Sequence, residues 1–486
     1  VRVNGNTWMD EALCWINGER RTLFESMEVI DPSNGERIGN VPLGGAELAE
    51  EAVTAAWEAF PAWSSLLPRE RACYLTRWAE KILQHKEELA PLLTREQGKP
   101  LAESTGELEV AASFVQWYAE EAKRVSGEVL PPYKPNQRIT VIRQPVGVAA
   151  LITPWNYPAA MVTRKAAPAL AAGCTVVLKP AKQTPLIAIA LFRLLMETGL
   201  PAGAANLVTG AASAIGEAWL GDPRVRKVSF TGSTEVGKKL MRQAADQVKR
   251  VSLELGGNAP AIVFGDADLE RAAAAIADNK FENCGQMCNG INRIYAEETV
   301  AEELAERMVA KVKQMRVGPG IRPGIHIGPL IHDSARRNVH RLVSDAVEKG
   351  ARLRTGGHPL TEGEWAGGSY YAPTVLTGVD ESMDLTREEV FGPVAPILSF
   401  RTEEEVVDQA NQTPYGLAAY LFTRDVARTH RVSEKLEFGM VGVNGTSLSV
   451  PQAPFGGIKE SGVGREGGRY GLEEFLELKT ITAMVD

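Results

Sequence analysis

The sequence predicts an α/β fold of more than one domain. Three observations carry that expectation: a chain of 486 residues that is 44% hydrophobic, a series of short β-branched runs alternating with helical stretches, and a second such series further along. Residues 45–125 come first and are helical in pattern, with apolar residues at intervals of three and four over 48–60 and 69–84. From residue 139 the pattern changes to β-branched runs at 140–143, 146–152, 175–178, 206–208 and 225–230, separated by helical segments. Parallel strands need a crossover, so this alternation predicts a parallel sheet with helices on its faces. Apolar runs at 259–264 and 291–296 flank a helical stretch at 269–283, and alternation continues to about residue 450, which predicts a second α/β domain. The apolar segment 166–178 contains Pro168 and Gly173 and is too short to span a bilayer, so it reads as buried core.

Composition removes several functions. With 53 basic and 61 acidic residues the net charge is -8, and no basic block is present to track a phosphate backbone, so nucleic acid is not an expected partner. No run reaches the length of a membrane span, and the first six residues lack a charged-then-apolar signal, which makes the cytoplasm the expected compartment. Five cysteines form no regular framework, so reduced thiols are expected. Cys284 and Cys288 are four apart, but none of the six histidines lies near them in sequence, and no metal site is implied.

Three segments carry candidate chemistry. In Phe281-Glu-Asn-Cys-Gly-Gln-Met-Cys288 a helical run breaks at Gly285 and presents a cysteine beyond the turn. A free cysteine is commonly a small buried hydrophobe, and this segment alone leaves both that reading and a nucleophile open. In Val251-Ser-Leu-Glu-Leu-Gly-Gly-Asn258, Glu254 closes a strand-like apolar run beside two glycines. Desolvation raises a carboxyl pKa toward neutrality, which suits a base that activates water; the alternative is a strand-end glutamate paired with a lysine. Val228-Ser-Phe-Thr-Gly-Ser-Thr-Glu-Val-Gly237 reads as strand, turn and helix start, a place where N–H groups and the helix dipole receive phosphate, although the spacing from Gly232 to Gly237 departs from the usual dinucleotide fingerprint.

Together with Leu151-Ile-Thr-Pro-Trp-Asn-Tyr-Pro158, Val177-Leu-Lys-Pro180, Glu388-Glu-Val-Phe-Gly-Pro393 and Pro454-Phe-Gly-Gly-Ile-Lys-Glu-Ser-Gly462, these segments in this order resemble the aldehyde dehydrogenase superfamily. The resemblance runs from about residue 28 to the C-terminus and is nearest to the succinate-semialdehyde dehydrogenase branch. It implies a Rossmann-type cofactor domain (1–122 and 145–254), an α/β catalytic domain (255–444), and a small β bridging and oligomerisation element together with the C-terminal tail (123–144 and 445–486). It implies Cys288 as nucleophile, Asn156 and the Cys288 N–H as oxyanion donors, and Glu254 as the base that hydrolyses the thioester. Coenzyme A-acylating relatives tend to lack that glutamate, so its presence argues for hydrolysis. A catalytically silent binding protein on the same fold is the other alternative, and retention of all three residues speaks against it.

For the cofactor, the resemblance implies Thr153, Trp155, Lys179, Gly232, Ser233, Glu389 and Phe391 as contacts. Many NAD-using members carry a glutamate three residues after the lysine; here that position is Lys182, an ammonium suited to a 2′-phosphate, which leads us to expect NADP over NAD, with a solvent-facing Lys182 that serves both as the alternative. The branch grips a distal carboxylate with two arginines and a serine, and the matching positions are Arg164, Glu282 and Ser449. Glu282 reverses one charge, which leaves succinate semialdehyde, a longer semialdehyde, another acidic aldehyde and an amino aldehyde open. The position two after the nucleophile is Gly290, not a second cysteine, and Cys284 is expected to be a buried structural residue. Family members form dimers or tetramers, and the apolar tail 476–485 would be an exposed edge in a monomer, so a homodimer or homotetramer is expected.

Overall fold

The computed structural model describes residues 13–485. The signal-pattern reading of residues 1–6 lies outside them. Four helices, Ala46–Ser65, Pro68–Gln84, Lys86–Gln97 and Leu101–Glu121, account for the early helical patterns, and Pro68 opens the second at the position where a missing N–H costs nothing. The first large sheet has five parallel strands in the spatial order Ala205–Leu207, Thr175–Lys179, Val148–Ile152, Val225–Thr231 and Arg250–Glu254. In chain order this is 3-2-1-4-5, the doubly wound arrangement with its switch point between the first and fourth strands. The helix Pro158–Ala172 is buried at every residue, which explains an apolar segment without amphipathic pattern. It ends at Gly173, whose φ of +97° suits glycine, and Thr175–Lys179 follows directly, so the run 166–178 is core in both its helical and strand parts.

The second sheet has six parallel strands, in the order Thr374–Thr377, Val394–Phe400, Ile291–Glu297, Ala259–Val263, Ala418–Phe422 and Met440–Val443, with Arg352–Thr355 antiparallel at one edge. Its apolar residues form a core separate from those of the first sheet. A third, antiparallel sheet pairs Glu128–Leu130 with Gln137–Pro145 and the latter with Leu476–Met484.

Three expectations shift. The run 146–152 begins as a strand only at Val148, because Gly147 has φ +131° and breaks it from Gln137–Pro145. The helix expected over 269–283 stops at Phe281, since Asn283, Cys284 and Gly285 all have positive φ. The C-terminal stretch 445–486, expected as bridging element and tail together, divides into parts. Gly462–Val463 adds an antiparallel strand beside Leu253 and Glu254, the helix Gly468–Glu473 follows, and Leu472 and Phe475 are buried in the first sheet's core. Only Leu476–Met484 joins the three-stranded sheet. The side chain of Ser461 explains the detour: its hydroxyl donates to Gly256 O at 2.7 Å and accepts from Gly416 N at 2.9 Å, tying the returning chain to both large sheets.

Arg293, fully buried in the second sheet, donates to the carbonyls of Asn258, Gln409 and Ala410 and to the Tyr295 hydroxyl at 2.9–3.2 Å. Replacement by Met leaves those carbonyls unpaired in a dry interior. Arg293→Met is expected to lower stability by about 3 kcal/mol or more, read as a fall of several degrees in the thermal unfolding midpoint; an unchanged midpoint contradicts this account.

Candidate active site

The C-terminal ends of the first sheet's parallel strands converge on one region. Ile152 leads into Thr153, Trp155 and Asn156; Thr231 leads into Gly232 and Ser233; and Glu254 is the last residue of its strand. From the second domain comes the loop after the helix Leu269–Phe281, which ends at Cys288. The two meet because Gly257 has no side chain: a methyl there would collide with the carbonyl oxygen of Cys288.

Cys288 is partly buried and lines a cavity of about 440 Å³ with Arg164, Glu282, Ser449 and Phe455. Burial pushes its thiol up to about 12, with Glu389 and Glu254 adding to the rise and Arg164 and the Asn289 N–H opposing it. The side-chain amide of Asn156 donates to Gln286 O at 3.0 Å, two residues before the thiol. Asn156 O accepts from Lys99 Nζ at 2.8 Å and from Asn283 Nδ2 at 2.9 Å. Glu254 is buried, and neither carboxylate oxygen has a hydrogen-bond partner among the described residues. Burial, then the nearby Glu466, hold its carboxyl well above the ordinary range, against the pull of Lys165, Arg164 and Arg465.

Arg164 packs its guanidinium over the rings of Phe455 and Phe114, 4.1 and 4.8 Å from their centroids. Nη2 is 3.3 Å from the Ser449 hydroxyl, and Nε is 3.3 Å from Glu466. Residues 285 apart in the chain thus meet in the cavity wall. Glu282 lines the same cavity and is exposed; it accepts a 2.8 Å hydrogen bond from the Tyr157 hydroxyl and forms no ion pair among the described residues. Its neighbour Glu103 is pushed up to about 8 by burial, with Lys99 lowering it and Glu282 raising it.

The residues expected to hold a dinucleotide are Thr153, Trp155, Lys179, Lys182, Gly232, Ser233, Glu389 and Phe391. Thr153 N donates to Lys179 O at 3.1 Å across neighbouring strand ends. Lys179 is buried and its amine is brought down to about 8 by burial and then by Lys182, which is exposed. Ser233 caps the twelve-residue helix Thr234–Ala245, accepting from Val236 N at 3.4 Å. Two cations without a carboxylate partner among the described residues, and a capped helix N-terminus at the same end of the sheet, fit a phosphate-bearing cofactor. Glu389 accepts from Gly257 N at 3.1 Å and is pushed up to about 7 by burial, opposed by that N–H and by Lys280. Phe391 has φ +46° and meets Trp155 edge to face, centroids 5.5 Å apart. A bulky residue in the left-handed region is strained, and such strain is typical of functional sites.

Cys284 is buried, as expected, within the left-handed run. Sequence reasoning missed Lys99, Glu107, Tyr157, Lys165 and Glu466. Lys99 and Glu107 form an ion pair at 2.7 Å whose side chains are at most 1% exposed, and Lys165 pairs with Glu466 in a similarly buried setting. The available signal was charge inside otherwise apolar stretches, such as Lys165 within 158–172.

Parallel strand ends, a cysteine lining a cavity and a buried glutamate define a cysteine-dependent dehydrogenase site. Residues 15–481 match the aldehyde dehydrogenase family, and the chain belongs to that family as an NAD(P)-dependent aldehyde dehydrogenase. It is 49% identical over 478 residues to the NADP(+) succinate-semialdehyde dehydrogenase of Escherichia coli K12, covering 98% of each chain. It is 52% identical over 459 residues to the 3-sulfolactaldehyde dehydrogenase of Pseudomonas putida, covering 94% of this chain and 93% of the other. Among solved structures, an NADP-dependent enzyme of E. coli superposes with a TM-score of 0.97 at 48% identity, over 99% of this chain and all of that one.

Proposed function

We propose that this enzyme oxidises a semialdehyde, an aldehyde with an acidic group at its far end, to the carboxylic acid, with NADP preferred. The observation that carries the substrate class is the Arg164–Ser449 contact in the same cavity as Cys288. A guanidinium and a hydroxyl together recognise an anion. Relatives that act on succinate semialdehyde and on 3-sulfolactaldehyde, both with acidic ends, support it.

In this reading Cys288 Sγ attacks the aldehyde carbon. The second N–H of the Asn156 amide, the one not used by Gln286 O, and the Cys288 N–H receive the developing oxyanion. NADP, when bound, would accept the hydride released from the former aldehyde carbon; Lys179 and Lys182 would hold its phosphate-bearing ribose, Gly232 and Ser233 its pyrophosphate, Glu389 and Phe391 its nicotinamide end, with Thr153 and Trp155 as further contacts. Collapse of the tetrahedral adduct leaves a thioester on Cys288. Glu254, whose buried carboxylate has no other hydrogen-bond partner among the described residues, takes a proton from the water that cleaves it, and the acid departs.

The strand Leu476–Met484 supports a homodimer or homotetramer: Leu478, Ile481 and Met484 are exposed on it, an apolar edge open to another chain. No described helix is long and apolar enough to cross a membrane, and the cytoplasm is the expected compartment.

Four outcomes check the proposal. Because burial favours neutral Glu254 and the base must be ionised, the hydrolytic step speeds up as pH rises, along a limb well above the ordinary carboxyl range. Glu254→Gln is expected to retain a burst of one reduced cofactor per site and lose steady turnover by about 10²-fold or more; a variant with normal steady turnover removes Glu254 as base. Lys182→Glu is expected to reverse the order of kcat/KM for NADP and NAD by about tenfold or more in ratio, as a 2′-phosphate then faces a carboxylate, and a wild type that favours NAD overturns the cofactor reading. Glu282→Arg is expected to raise kcat/KM for succinate semialdehyde by about fivefold or more; no improvement means that Glu282 does not face the substrate's acid.

A further inference from the structure

Lys99 is a fully enclosed cation near the site, and the partners of its ammonium belong to the machinery around Asn156. Nζ donates to Glu107 Oε2 at 2.7 Å and to Asn156 O at 2.8 Å, and it sits 3.7 Å from the centroid of the Tyr157 ring. Three hydrogens meet two acceptors and one π face, so the side chain is saturated without water. The other oxygen of Glu107 accepts the N–H groups of Ala159 and Ala160, the first turn of the helix that begins directly after Asn156 and Tyr157. Asn283 Nδ2 donates to the same Asn156 carbonyl from the opposite side, and the Asn156 amide reaches Gln286 O. The backbone of Lys99 is itself fixed: Gly98 before it turns at φ +100°, and methyl groups on Gly320 or Gly328 would strike the carbonyls of Gly98 and Lys99.

We infer that Lys99, with Glu107, is the positioning residue that aims the Asn156 amide at the oxyanion. It lies outside the cavity wall and touches no reacting atom. It acts through the Asn156 carbonyl: with that oxygen held between Lys99 and Asn283, the peptide plane cannot rotate, and the side chain has one direction in which to point. A displacement of about 1 Å in such a group is enough to lose much of its effect. The same ammonium carries the Tyr157 ring, whose hydroxyl holds Glu282, so one buried charge bears on both the oxyanion donor and the cavity wall at Tyr157 and Glu282. The inference rests on the reading of Asn156 as oxyanion donor.

The test uses the full-length enzyme and p-nitrophenyl acetate, whose acyl transfer to Cys288 passes through an oxyanion whatever the natural aldehyde is. Lys99→Met alone leaves Glu107 buried and unpaired and can fail to fold, so Lys99→Met/Glu107→Gln, which removes both charges, is the main variant. Its nitrophenolate burst is expected to slow by roughly 10- to 100-fold. Alkylation of Cys288 by iodoacetamide, a displacement at saturated carbon that needs no oxyanion donor, is expected to stay within about twofold of wild type. On an Asn156→Ala background the pair of changes is expected to add less than about threefold, because the group it aims is already gone. Slower alkylation in step with slower acylation, or a full further loss on the Asn156→Ala background, overturns the positioning role while leaving Asn156 as donor. Unimpaired acylation by Asn156→Ala alone overturns the donor reading, and this inference with it.

Discussion

Burial of Glu254 at the end of its strand is the constraint on which the rest of the site depends. A carboxyl group enclosed without a hydrogen-bond partner must either stay neutral or be balanced by charges nearby. Both occur here. Its carboxyl lies well above the ordinary range, and Lys165, Arg164 and Arg465 act on it against Glu466. Arg164 therefore has two tasks. On one side its Nε faces Glu466, and on the other its Nη2 meets Ser449 in the cavity. Its guanidinium packs over two phenyl rings, so the group that bears on the buried acids also lines the cavity with Cys288. One cation on the helix Pro158–Ala172 thus serves both the buried carboxyls and the cavity wall.

Strain concentrates where the two domains meet. Asn283, Cys284 and Gly285 are consecutive left-handed residues, and Phe391 adopts the same region against the Trp155 ring. L-residues do not hold such a run unless other bonds over-determine it. Those bonds are present: Glu103 accepts from Asn283 N, Gln286 Nε2 donates to Asn283 O, and Ile331 N donates to Gln286 Oε1. The reversal carries the chain from a buried helix to Cys288 in five residues beyond Asn283, and the glycines of the facing loop allow it to pass. The loop is thus rigid for a physical reason, and a nucleophile on it keeps one position.

How much of this was legible in the sequence follows from the range of the interactions. The parallel strands could be read because their apolar runs are local, and nearly all fell within a few residues of their observed bounds. The helix before Cys288 was read two residues too long, because the hydrophobic pattern continues through Phe281 and nothing local announces a left-handed asparagine. Arg164 and Ser449, or Glu254 and Glu466, lie hundreds of residues apart, and only the likeness to a family pointed to the first pair; no reading pointed to the second. The path of the tail was not legible for the same reason, since the two hydrogen bonds of Ser461 are to chain segments that its own neighbourhood does not reveal.

Glu282 is the residue that most separates this cavity from one built for a carboxylate alone, and its exposure decides how far that matters. Two unit charges 4 Å apart interact by about 1 kcal/mol in water and about 4 kcal/mol in the lower dielectric near a protein surface. Arg164 and Glu282 sit at opposite extremes of this scale. Arg164 is 3% exposed, whereas Glu282 is open to solvent and turned toward the Tyr157 hydroxyl. Attraction at the enclosed arginine therefore outweighs repulsion at the solvated glutamate for an acid long enough to reach Ser449.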